Sequence, residues 1–177
     1  MDSLGVVETF LHATMLGGNP TRVAESRFLD WTVNGEALRT KLGWANPPDD
    51  STNLVSGWDL ETALEWLDGL ARSSAGEFPD GRAAILICQL CGDLECGALS
   101  TRVTRDEGTV SWSDFGWQTP RVPGFVPLEV SLSYAFAEAE YDGLLASLKA
   151  RLVASAVTVP AVRRPWRRSE QRTLIQL

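Results

Sequence analysis

Apolar positions along the chain fall into two helical stripes with a run of strands between them. Leu60, Ala63, Leu64, Leu67, Leu70 and Ala71 recur at spacings that share one helix face, and Asp59 ahead of them is a good N-cap. Tyr141, Leu144, Leu145, Leu148 and Leu152 repeat the pattern within Glu138 to Val153. Between the stripes, Ala83 to Leu90 is apolar on both alternations, which suits a central strand covered on both faces. Ala98 to Arg105 and Thr109 to Gln118 flank Asp106-Glu107-Gly108, a short hairpin loop. Leu128 to Phe136 alternates, with Leu128, Val130, Leu132, Tyr134 and Phe136 on one face, and is expected to be a further strand.

The N-terminal part is less regular. Leu4 to Leu16 fits helix or strand, since its apolar residues keep to no single period, and Gly17-Gly18-Asn19-Pro20 breaks it. Phe28 to Val33 reads as a strand ended by the Asn34-Gly35 turn; Glu36 to Leu42 reads as a short helix closed by Gly43. Trp44 to Gly57 and Ser73 to Gly81 read as loops. A β-meander followed by an amphipathic helix gives an α+β fold, mostly antiparallel sheet with helices packed on one face. Residues 1–160 are expected to form one globular domain, and 161–177 a basic, proline-containing C-terminal tail whose removal leaves the fold intact.

Charge changes the picture more than composition does. At 44% apolar and 22% charged residues, the 177-residue chain is ordinary for a globular domain. Residues 1–160 carry 11 basic and 22 acidic side chains, whereas 161–177 carry five arginines and Glu170. A body of net −11 repels nucleic-acid backbones and attracts basic proteins. No apolar run approaches the ~20 residues that span a bilayer, and Met1-Asp2-Ser3-Leu4 lacks a positive n-region. A cytoplasmic protein with no membrane partner is expected. Fourteen of the 16 basic residues are arginine, which resembles the codon bias of a GC-rich bacterial genome.

The three cysteines, Cys88, Cys91 and Cys96, are an odd and clustered set, better read as reduced thiols than as a disulfide framework. Cys88-x2-Cys91 has zinc-ligand spacing and Cys96 is near enough to be a third ligand, but a fourth would have to come from His12, Asp93 or Glu95. No metal or other cofactor is expected; a zinc-dependent structural or regulatory module is the alternative reading. Cys91-Gly92-Asp93 through Cys96-Gly97, followed by a Val-containing strand and Trp112-Ser113-Asp114-Phe115, resembles a pattern in uncharacterised actinobacterial proteins. The likeness covers residues 83–118, with a less specific echo in Asn34-Gly35-Glu36-Ala37-Leu38. What it implies is a strand-turn-strand fold; it adds nothing about activity.

No catalytic set assembles. His12 is the single histidine and has no serine elbow or carboxylate in readable relation to it. Asp114-Phe115-Gly116 copies the kinase magnesium tripeptide without its Gly-rich loop, strand lysine or catalytic loop. Arg163-Arg164-Pro165-Trp166-Arg167-Arg168 has the make-up of a nucleic-acid contact, but the acidic body opposes that partner. Trp31, Trp66, Trp112 and Trp117 read as core or sheet-face residues. Trp44 and Trp58, which bracket Asp49 and Asp50, either tuck under the loop as plugs or join Asp59 in a surface that anchors a partner. The expectation is therefore a non-catalytic protein-binding module that engages a basic partner through Trp44, Asp49, Asp50, Trp58 and Asp59. Small acidic immunity proteins that neutralise a basic toxin share its size and charge. An enzyme whose site is scattered through the sequence is the third reading.

Overall fold

The computed structural model describes residues 1–11, 26–43, 51–71, 78, 80–88, 94–120, 124–160 and 171–177. In chain order the elements are β1 (Leu4–Leu11), β2 (Ser26–Val33), β3 (Glu36–Ala37), α1 (Leu38–Lys41), β4 (Ser51–Thr52), α2 (Leu60–Ala71), β5 (Ala83–Cys88), β6 (Ala98–Asp106), β7 (Thr109–Gln118), β8 (Phe125–Pro127), β9 (Tyr134–Ala137), α3 (Glu138–Ser155), β10 (Val157–Pro160) and β11 (Gln171–Leu174). The class is α+β, dominated by antiparallel sheet.

Turn chemistry sets the hairpins. Asn34 (φ 56°) and Gly35 (φ 78°) make the left-handed turn that folds β3 onto β2, and Glu107 (φ 43°) and Gly108 (φ 78°) do the same between β6 and β7. Two residues of positive φ match the twist of the flanking strands, so these sequences fix register locally. The β5–β6–β7 meander forms the middle of the larger sheet.

Backbone pairing then runs round the molecule. The C-terminal half of β7 takes β8 and its N-terminal half takes β9. Asp2 bridges Phe136 in parallel, with its N–H donating to Ala135 O at 2.7 Å, so β1 starts beside β9. The whole of β1 pairs with β2, and β2 is met on its other side by Leu54 and Ser56 (Leu29 N to Leu54 O, 2.8 Å; Ser56 N to Arg27 O, 2.8 Å). The strand β4 just before that segment pairs with Ile87 and Cys88, which returns the pairing to β5.

One continuous core lies on the face where the helices pack. Ala63, Trp66, Leu67 and Leu70 of α2 and Tyr141, Leu145, Leu148 and Leu152 of α3 are its helical contribution. Trp31 is fully buried, 6.0 Å from Trp66 and 5.9 Å from Trp112 between ring centroids, and Trp112 meets Tyr141 edge-on at 6.0 Å. Buried indole and phenol groups need partners. The pairing of β5 with β6 shifts between Ala84 and Leu86, and at this irregularity the carbonyls of Ala84 and Ile85 accept from Trp66 Nε1 (2.9 Å) and Trp31 Nε1 (3.1 Å). Tyr141 accepts from Trp112 Nε1 and donates to Leu70 O, joining sheet, α3 and α2 through one hydroxyl.

Three segments differ from the sequence expectation or settle it. Leu4–Leu11 is strand, which resolves the ambiguity over the first part of residues 4–16; residues 12–16 lie outside the described set. Of the expected strand at 128–136 only residues 134–136 are strand, within β9. Pro127 has no N–H, and Asp114 sits at φ 52° where the β6–β7 register shifts, so β7 offers no ladder between the stretches taken by β8 and β9. Leu128 N reaches Phe115 O (3.0 Å), and beyond it the chain bows outward, with Val130 48% exposed. The tail boundary at 160 also differs. β10 pairs with β11, Leu174 bridges Asp59, and Ile175 is fully buried in the core.

Candidate functional site

Of the five residues expected to meet a partner, Trp44, Asp49 and Asp50 lie outside the described residues. Trp58, for which both a plug and a surface anchor were open, is buried, 6% exposed, with its ring edge-on to Trp66 at 6.3 Å. The returning C-terminus pairs with the backbone here, Ile175 N donating to Trp58 O (3.0 Å) and Gly57 N to Ile175 O (2.9 Å). Asp59 is half-buried and caps α2, its Oδ1 accepting from Glu61 N (3.1 Å) and Thr62 N (3.4 Å).

The exposed charge has a simple distribution. Each lysine and arginine whose side chain is described is committed to an acid of the chain: Arg27 and Arg151 to Glu8, Arg39 to Asp30, Lys41 to Glu36, Arg82 and Arg102 to Asp114, Arg105 to Glu138 and Asp142, and Lys149 to Asp68. Glu61, Glu65, Asp106, Glu107, Glu129 and Glu140 remain exposed with no basic partner among the described residues. Two of them lie on the outer side of α2. The largest concentration is at one end of the sheet, where the β6–β7 turn meets the start of α3.

That acidic end is built by the pairing of Thr109 with Ala137, by one further backbone bond and by one cation. Glu138 N donates to Gly108 O (2.8 Å), which fixes the turn carrying Asp106 and Glu107 against the helix start carrying Glu138, Glu140 and Asp142. Arg105 Nη1 donates to Glu138 Oε1 (2.8 Å) and Nη2 to Asp142 Oδ1 (2.6 Å), over the ring of Tyr141. These bonds hold its guanidinium even more firmly protonated than usual. Acids in the first turn of a helix also complement its partial positive charge. Two of the five carboxylates, Glu138 and Asp142, are bonded to Arg105, and Asp106, Glu107 and Glu140 have no basic partner among the described residues. The sequence signal was present, in Asp106-Glu107 and in the acids spaced through 138–142, but only the fold shows that the two groups meet.

A second polar group is buried. Asp30 of β2 (4% exposed) pairs with Arg39 of α1 (Nε to Oδ2, 3.2 Å), and the guanidinium lies 5.3 Å from the ring of Phe28. Burial pushes the Asp30 carboxyl above the usual carboxylate range, against the pull of Arg39. Extending the pairing of Phe28 with Val55 places Asn53, fully buried, beside Asp30. A carboxyl raised by burial is the type used for acid–base work, but Asp30 is too deeply enclosed for a substrate to touch.

Near β8, Arg82 is buried and lies 3.6 Å over the Phe125 ring, bonded to Asp80 and to the carbonyl of Asp114. The Asp114-Phe115-Gly116 tripeptide is a strand bulge, and Gly116 is required because a Cβ there would lie 2.3 Å from the Phe125 ring. Cys88 is buried, Cys96 is exposed and neither is in a disulfide; Cys91 lies outside the described residues. Among the described residues no group of three or more His, Cys, Asp or Glu side chains converges to hold a metal ion, and no helix is long and apolar enough to cross a membrane. His12, Asp93 and residues 163–168 are outside the described set.

No protein-family model, no curated protein and no solved structure matches this chain.

Proposed function

We propose that the protein works by binding a basic protein partner, drawn to it by a surface whose uncompensated charge is negative. The observation that supports this reading is the commitment of the described cations to internal ion pairs, which leaves Glu61, Glu65, Asp106, Glu107, Glu129 and Glu140 with no counter-charge among the described residues. A field of one sign steers an oppositely charged protein to the surface and speeds association. The acidic end round Arg105 and the Asp49-Asp50 segment are the two surfaces that fit such a partner, with Trp44 as the aromatic anchor beside the second. The size, charge and lack of a catalytic set fit an immunity-type protein that holds a basic toxin inactive in the cytoplasm.

The test uses charge reversal at each surface separately. Asp106→Lys with Glu107→Lys alters the acidic end, and Asp49→Lys with Asp50→Lys alters the segment before β4. Reversal at the true surface is expected to slow association with the partner and weaken its salt dependence; at Asp106 and Glu107, which are exposed, melting should not change because exposed charges add little to stability. Association unaffected by both pairs removes the reading, as does turnover of a small substrate by the purified protein.

A further inference from the structure

The outer edge of β1 is the longest stretch of strand edge among the described residues that no other strand covers. Register decides which groups it presents. Asn34 N donates to Ser3 O (2.9 Å), so Ser3 and Asn34 are a bonded pair, and in steps of two the bonded pairs along β1 are Gly5–Thr32, Val7–Asp30 and Thr9–Phe28. The N–H and C=O groups of Leu4, Val6, Glu8 and Phe10 therefore point away from β2. The same parity appears on β2, whose Arg27 O and Leu29 N bond outward to Ser56 and Leu54. Past the bridge at Asp2, no described backbone pairs with this edge of β1.

Natural edges are blunted by shortness, proline, lysine or bulges. The edge strand β8 has two of these devices, being three residues long and ending in Pro127. β1 has none: eight residues in unbroken register, without proline or lysine. Two of its apolar side chains face solvent, Val7 at 45% and Phe10 at 50% exposure. Its one exposed charge, Glu8, is tied to Arg27 and Arg151 at 3.2 and 2.6 Å.

We infer that this edge pairs antiparallel with the same edge of a second copy of the chain, about a twofold axis at Val7. That register is self-complementary. Val6 lies opposite Glu8 of the other copy and Leu4 opposite Phe10, so all four outward N–H groups and all four outward C=O groups find partners. Val7 faces Val7, and Leu4 packs on Phe10. A slide of two residues one way would set Glu8 against Glu8, and a slide the other way would need Asp2, which is already bridged to Phe136. This goes beyond the proposed partner binding and does not depend on it.

Light scattering on size-fractionated full-length protein tests it with Val7→Lys and Val7→Glu, both at an exposed position. The wild type is expected at twice 19.3 kDa, and each variant alone at 19.3 kDa with an unchanged far-UV spectrum, because two like charges would lie directly opposite. An equimolar mixture of the two variants should return to twice that mass. A wild type that stays at 19.3 kDa up to millimolar concentration overturns the inference, whether or not the edge accepts a foreign strand. Variants that remain dimeric also overturn it, and so does a mixture that fails to re-associate.

Discussion

Replacing Ile175 by alanine isolates the contribution of the C-terminus to the core. The side chain is fully buried, while the backbone bonds from Ile175 N to Trp58 O (3.0 Å) and from Gly57 N to Ile175 O (2.9 Å) do not need it. Isoleucine-to-alanine changes at closed sites cost about 2–5 kcal/mol, the transfer free energy of the lost methyls plus the cavity left behind. The side chain belongs to the continuous core and its backbone is held on both sides by bonds to Gly57 and Trp58, so little collapse is open to the site and about 3 kcal/mol is expected. Against a total of about 5–15 kcal/mol that is a large fraction. For a chain of this size it corresponds to a melting point lower by roughly 10 °C. Urea unfolding followed by tryptophan fluorescence measures it, and deletion of residues 171–177 should cost more because the β11 bonds go too. A loss below about 0.5 kcal/mol, the level of ordinary surface changes, would refute the packing described for the C-terminus.

Other outcomes follow from the buried and strained positions. Arg39→Ala leaves the Asp30 carboxyl enclosed without its cation and should cost about 3–5 kcal/mol in urea unfolding, whereas Asp30→Leu with Arg39→Met should come out near neutral. In Arg39→Ala the raised Asp30 carboxyl means the folded state holds its proton more tightly than the unfolded one, so stability should fall as pH rises through the raised value; a flat profile contradicts the burial argument. Asp2 behaves in the opposite sense. Its carboxylate is held below the usual range by the N–H of Ala135 and then by Asn34, so it stabilises above about pH 4 and loses that contribution as pH falls through the lowered value. Asp2→Asn should therefore narrow the stability difference between pH 7 and pH 3, and an unchanged difference contradicts the contact. Gly116→Ala places a Cβ 2.5 Å from Val126 O as well as against Phe125, and should cost about 1–3 kcal/mol in thermal unfolding by pushing β8 off β7.

Periodicity carried most of the architecture. The stripes of α2 and α3 and the all-apolar β5 were legible because each buries one face, or both, along its whole length, and Asn34-Gly35 and Glu107-Gly108 fixed two turns through backbone conformation alone. β1 was ambiguous for a physical reason. Its inner residues Leu4 and Val6 face the core, but Val7 and Phe10 are apolar and exposed, so the alternation that marks a half-buried strand is blurred. The strand expected at 128–136 failed because alternation reports a side chain's preference and not whether a ladder is free, and the bulge at Asp114 removes the ladder. Ile175 was missed because a single core residue after a run of arginines has no period to reveal it. The acidic end was half legible: its acids are visible in the sequence, but their meeting depends on the bond between Glu138 and Gly108, which joins residues far apart in the chain.

The central claim, that uncompensated acidic surface brings a basic protein to this chain, is tested most directly by the salt dependence of one association rate. The protein is cross-linked to its partner in cells, the partner is identified by mass spectrometry and purified, and its association with the immobilised protein is followed by surface plasmon resonance across ionic strength. The account predicts a partner of net positive charge whose association rate falls steeply as salt screens the field, and falls less steeply in the Asp106→Lys, Glu107→Lys or the Asp49→Lys, Asp50→Lys variant. A partner of net negative charge, or a rate indifferent to salt and to both variants, would contradict it.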